Sequence, residues 1–304
     1  MYRDLTKGNI TKTLLLFSLP MIAGNLLQQF YNIADTLIVG RFLGRDALAA
    51  VGSAYTLMTF LTSILLGMSM GAGALFAIYQ GQGNTERLKA SMVQAFGLIL
   101  ALTAALYGLA VNAGVFLFID PIMRLLCVPG ELYALMREYL WIIFAGLAAT
   151  FLYNFFSCLL RALGNSVTPL AFLAVSALLN IVLDLVFVLQ CSWGVAGAAA
   201  ATVIAQYVSG IGILVYCLIR CKELRPERRH VQWDGKILRE IGNLSLLTCV
   251  QQSVMNFGIL MVQGLVNSFG PVIMAAFAAA VKIDSFAYMP VQDFGNAFST
   301  FVSQ

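Results

Sequence analysis

Two aspartates, Asp35 and Asp184, stand in stretches that are otherwise almost wholly apolar: FYNIADTLIVG (30–40) and LNIVLDLVF (179–187). Polar side chains recur around them at helical spacing. Asn25, Gln28, Asn32 and Asp35 fall within about 80° of one another on a helix, and Ser176, Asn180 and Asp184 follow at i, i+4 and i+8. Asn154 on an earlier apolar segment and Thr202, Gln206 and Ser209 on a later one add further oxygens, and Gln252, Asn256, Gln263 and Asn267 form another stripe. Amides and serines in lipid often serve only as contacts between helices. The acids ask for more, because an aspartate at mid-bilayer costs about 2.5–3.5 kcal/mol on insertion scales. No Lys or Arg within residues 1–220 stands at a matching depth to neutralise them. Two chemistries then remain open. Each carboxyl holds a proton, its charged form disfavoured by desolvation and by the other acid. Alternatively, the pair shares a small hard cation such as Na⁺, with Asp35, Asn154, Asn180, Asp184 and Thr202 supplying oxygens. Gln28, Asn32, Gln206, Gln252 and Asn256 are candidates for a substrate path. Met68, Met70, Phe30, Tyr31, Tyr55 and Phe60 are candidates to line a pocket for flat apolar cations, which aromatic faces attract.

The elements that must position these groups are membrane helices. The chain has 304 residues, 60% hydrophobic and 11% charged, with mean hydropathy +0.86. Soluble domains carry about 25% charged residues. Apolar runs of the length that crosses a ~30 Å hydrocarbon core recur throughout. The net charge of +4 is no nucleic-acid signature, and no nucleic-acid partner is expected. The polar segment 1–12 and the long first apolar run do not read as a cleavable signal. Six cysteines without a CxxC pair and a single histidine, His230, in a charged loop give no metal or disulfide framework, and no cofactor is expected.

Turn signals divide the chain into eight predicted membrane helices: 13–40, 52–80, 89–118, 134–160, 167–190, 194–220, 237–269 and 276–304. Lys and Arg collect on one side: Arg3, Lys7, Lys12, Arg87, Lys89, Arg161 and the run from Arg220 to Arg239. Arg41, Arg45, Arg124 and Arg137 lie on the other. This bias predicts a cytoplasmic N-terminus in the plasma (inner) membrane. The charged segment CKELRPERRHVQWDGK (221–236) reads as a cytoplasmic linker, dividing a six-helix N-terminal lobe (1–220) from a further segment (237–304). A polybasic lipid-binding patch is its other reading.

LGRDALAAVGSA (43–54) and FGPVIMAAFAAA (269–280) each follow the first long helix of their segment, with a glycine second and small residues aligned at Ala49/Ala275, Ala50/Ala276 and Ala54/Ala280. The last two predicted helices thus read as a second copy of the first two. Both copies begin on the same side, which makes the repeat parallel, a hallmark of secondary transporters. The second copy stops at 304, so the second bundle is expected to be incomplete. The expected fold is an all-α membrane protein: a six-helix bundle plus the first two helices of a second, pseudo-twofold-related bundle.

LFSLP (16–20), NIADTLIVGRFLG (32–44), LNIVLDLVF (179–187) and YMPVQDFGNAF (288–298) resemble the multidrug and toxic compound extrusion (MATE) transporters, particularly their prokaryotic branch. The resemblance implies two six-helix bundles, monomeric when complete, that export organic cations or drug-like small molecules by alternating access, driven by inward Na⁺ or H⁺. It implies a coupling-ion site at Asp35, Asn154, Asn180, Asp184 and Thr202. Three other readings stand beside it. A lipid-linked oligosaccharide flippase of the same superfamily would favour cationic residues along its cavity, where this chain has acids and amides. An intramembrane enzyme would need a nucleophile with its base, or metal ligands. A non-transporting fragment is the third.

Overall fold

The computed structural model describes residues 9–108, 123–124, 128–227, 230 and 233–304. They form nine long α-helices: α1 (Ile10–Phe42), α2 (Arg45–Gly81), α3 (Thr85–Gly108), α4 (Tyr133–Ala145), α5 (Leu147–Ala162), α6 (Val167–Asp184), α7 (Gly194–Arg220), α8 (Gly235–Asn267) and α9 (Pro271–Ser303). No strand is present among the described residues. By length and composition six of these helices can cross a membrane, and the bent pair α4–α5 makes a seventh span. The eighth expected span is α9, 33 residues long, with Lys282, Asp284 and Asp293 interrupting its apolar run. The predicted helix 89–118 is described only as far as Gly108, and Cys127 lies outside the described residues.

Two predicted helices are not regular. The segment expected as 134–160 is broken at Gly146 and bends by 48° there. A Cβ on Gly146 would stand 2.6 Å from Gln206 Oε1, so the glycine lets that amide reach the break. The segment expected as 167–190 is α-helical only to Asp184 and continues as a π-helix, Leu185–Gln190. Such wide turns favour functional sites. Within it Phe187 stacks on Trp193, which lies beyond it, with ring centroids 4.8 Å apart.

The amphipathy is inside-out, as lipid requires. On α6, Val175, Leu178 and Val182 are exposed, Leu178 by 65%, while Ser176, Asn180 and Asp184 are buried. The polar stripe read from the sequence therefore faces protein. The core lies where α2 meets α3 and α5: the Phe96 ring centroid is 5.3 Å from those of both Phe151 and Phe155, and Phe76 is 5.8 Å from Phe155.

Helix α2 packs most extensively against α8, and α1 against α9. The first seam is built on missing side chains. A Cβ on Gly67 would lie 2.7 Å from Cys249 Cα, and one on Gly71 would lie 2.4 Å from Ser245 Cα. Small residues four apart let membrane helices approach to backbone contact. Further along, Ser63 Oγ and Ser253 Oγ are 3.5 Å apart, and the Phe60 and Phe257 centroids 5.9 Å. Gly44 and Gly270, the two glycines aligned in the sequence, open α2 and α9 with φ of 92° and 90° and nearly equal extended ψ. Few other residues tolerate that φ.

The charged connector is docked. His230 is buried. Its Nδ1 accepts the Glu227 N–H at 2.9 Å, so Nε2 carries the hydrogen and donates to Glu86 Oε2 at 3.0 Å. The Trp233 ring lies over Gly97 of α3. Asp234 then caps α8, its carboxylate accepting the Lys236 N–H at 2.8 Å. At this same end Tyr79 hydrogen-bonds to Glu240, and Gln304 donates to the Ala162 carbonyl.

Candidate functional site

A cavity of about 420 Å³ opens between α1, α2, α4, α5, α7, α8 and α9. The whole stripe of α1 reaches it: Asn25, Gln28, Asn32 and Asp35. Asn154, Thr202, Gln206 and Gln252 meet it from α5, α7 and α8. Asn256, one turn past Gln252, is buried but does not line it.

The other two expected ligands lie behind Thr202. Asn180 lines a small side pocket of about 10 Å³ with Thr202, Gln206 and Tyr31, and Asp184 is fully buried at 0% exposure. One orientation of the Asn180 amide satisfies its neighbours. Its Nδ2 donates to Asp184 Oδ2 at 3.3 Å, and its oxygen accepts from Thr202 Oγ1 and Thr202 N–H, each at 3.3 Å. The opposite orientation would turn the amide oxygen towards a carboxylate. Asp184 Oδ1 is buried with no hydrogen-bond partner. Asp35 and Asp184 are near enough to interact electrostatically, and Tyr31 and Tyr139 feel both. Asn154 Nδ2 donates to the Thr150 carbonyl on its own helix at 2.9 Å, and Thr150 Oγ1 donates to Gln206 Oε1 at 3.3 Å. The arrangement is thus a pair of carboxylates: Asp35 at the cavity, and Asp184 behind it, linked through the Asn180 amide to the cavity-lining Thr202. It can take up positive charge, as protons or as a small cation among oxygens.

Of the soft and aromatic candidates, Tyr31, Tyr55 and Met70 line the cavity. Phe30 does not: it is 61% exposed. Met68 and Phe60 are part of the packing around the core. Of one whole wall the sequence reading singled out only Asp293. Gln292, Asp293, Asn296, Ser299 and Thr300 of α9 all line the cavity, at a spacing that marks one helix face and was legible as such. It also missed Tyr139, Tyr153 and Arg161, which carry no such signal.

Residues 20–186 match the MatE family model. The chain belongs to the MatE family. It is 32% identical over 303 residues to the "Probable multidrug resistance protein YpnP" of Bacillus subtilis, covering 99% of this chain and 66% of that protein. It is 26% identical to the "Probable multidrug resistance protein NorM" of Thermotoga maritima, covering 97% and 63%. A multidrug resistance MATE family transporter in its outward-facing conformation superimposes with a TM-score of 0.85 at 25% identity, over 98% of this chain and 65% of that one. An inward-facing conformation of such a transporter gives 0.79 over 89% and 60%. This MatE chain therefore spans about two thirds of the length of these relatives. Its relatives are transporters, not enzymes, and it is a multi-pass membrane protein with their fold.

Proposed function

We propose that this chain forms the larger part of a secondary active exporter of organic cations and drug-like molecules, driven by inward Na⁺ or H⁺ through alternating access. The observation that carries the reading is a pair of acids at a cavity of about 420 Å³: Asp35 lines it, and Asp184 behind it is linked through Asn180 to the lining residue Thr202. That volume lies within the range of sites for drug-sized ligands. Asp35, Asn154, Asn180, Asp184 and Thr202 hold the coupling ion, and Gln28, Asn32, Gln206 and Gln252 meet the substrate. Residues 1–220 act as one lobe, 221–236 as a cytoplasmic linker and 237–304 as the start of a second lobe. The N-terminus faces the cytoplasm of a plasma membrane, and the transporter is a monomer in lipid. The joined linker end and the better match to an outward-facing relative both favour an outward-facing state.

The test is ethidium transport in proteoliposomes carrying the chain extended by a complete second lobe, driven by either a Na⁺ or a pH gradient. Asp35→Asn at equal protein level is expected to abolish gradient-driven transport. Equal transport by both proteins would remove Asp35 from coupling. The gradient that drives the wild type names the ion.

A further inference from the structure

Asp293 has no part in the coupling pair. It lies 23 residues past the glycine that opens α9 (270 + 23 = 293), and the same step from the glycine that opens α2 reaches Gly67 (44 + 23 = 67). At Gly67 the α2–α8 seam is closed backbone to backbone. At the matching place on the α1–α9 seam stands a carboxylate, whose Oδ1 accepts from Asn25 Nδ2 of α1. Asp293 is 2% exposed, and its Oδ2 is buried with no hydrogen-bond partner. A buried acid with one oxygen unmet is costly. Holding two helices together does not require it, since a neutral amide or hydroxyl would bond Asn25 as well.

The surroundings suit a positively charged organic molecule. Asp293 lines the same cavity as the coupling residues, about ten residues or 15 Å along α1 from Asp35, judged by its partner Asn25. Met21 and Met289 beside it offer soft, adaptable apolar contacts, and Gln292 and Asn296 offer amides. Arg161 of α5 lines the same cavity and is outnumbered there by the carboxylates of Asp35 and Asp293. No group of three or more His, Cys, Asp or Glu able to hold a metal ion occurs among the described residues. We propose that Asp293 binds the positively charged group of an organic cation, in competition with the Asn25 amide for Oδ1. This rests on the organic-cation reading above and assigns the substrate's charge a place distinct from that of the coupling ion.

The test is equilibrium binding to the purified chain in lipid nanodiscs, with ethidium as the cationic probe and Nile red as a neutral one. Asp293→Asn is expected to raise the ethidium Kd about tenfold or more and to leave Nile red binding unchanged. Asn25→Ala is expected to keep or tighten ethidium binding, because it removes the competitor. Unchanged ethidium binding by Asp293→Asn overturns the proposal. So does an Asn25→Ala loss as large as that of Asp293→Asn, which would make the pair a structural tie. Should Asp293→Asn also lose Nile red, Asp293→Glu decides: restored ethidium binding supports the proposal and continued loss overturns it. A wild type that binds Nile red but not ethidium overturns the organic-cation reading itself, and this proposal with it.

Discussion

Asn180 is the residue on which the carboxylate pair turns. It donates to Asp184 and accepts from Thr202, so it couples a fully buried acid to the cavity wall. Asn180→Leu has similar bulk but no donor or acceptor. It leaves a buried carboxylate oxygen without its partner, at a cost of about 1–3 kcal/mol. The expected outcome is a lower thermal midpoint in detergent, and loss of any stabilisation by Na⁺ or acid that the wild type shows. A mutant as stable as the wild type, with that response intact, would remove Asn180 from the site. At this scale the sequence was informative wherever a group was expensive. Asp35, Asn180 and Asp184 stood out because lipid offers them no partner. The Asn25–Asp293 contact did not, because its members are 268 residues apart and nothing in either helix names the other.

At the scale of helices, the α2–α8 seam depends on two missing side chains. Gly71→Val would place its Cβ 2.4 Å from Ser245 Cα, and backbone cannot yield as a flexible side chain can. Overpacking of this kind costs about 1–3 kcal/mol or more, and the expected result is a large fall in thermal midpoint. The companion test is gentler. Ser63 Oγ and Ser253 Oγ are 3.5 Å apart, so the double variant Ser63→Cys, Ser253→Cys is expected to form a disulfide on mild oxidation. The bond would be read as two fragments that stay joined after cleavage in the 221–236 connector and part on reduction. Failure to cross-link would mean that α2 and α8 do not meet there. The helices themselves were legible from apolar length. The bend at Gly146 and the π-helix after Asp184 were not, because an isolated glycine and the run LVFVLQ are both compatible with straight α-helix. Packing against Gln206 and the stacking of Phe187 on Trp193 lie outside any local pattern.

At the scale of the whole molecule, the end bearing the charged connector is drawn together by side chains from distant parts of the chain. His230 to Glu86 ties the connector to α3, and Tyr79 to Glu240 ties α2 to α8. His230→Ala removes both the Glu86 contact and the acceptor for the Glu227 N–H. Trypsin is expected to cut the connector several-fold faster in that variant, followed by gel or mass spectrometry, while binding in the cavity is retained. Unchanged cleavage would mean that the histidine does not hold the connector. The sequence reading had the composition and the charged connector, since each is a property of a segment. It had no means to see the connector folded back on α3, which takes two residues 144 apart in the chain.

The wide turn after Asp184 bears on how this chain is lined up with its relatives. One residue added to a regular helix rotates everything beyond it by about 100°, and π turns absorb such additions locally. Here the six-residue π-helix Leu185–Gln190 lies between Asp184 and the corner at Trp193. The direction of the aspartate is therefore uncoupled from the length of the segment that follows. A relative lacking one residue in this stretch would keep its acid in place, whereas a gapless alignment run through it would shift every position on one side of the turn.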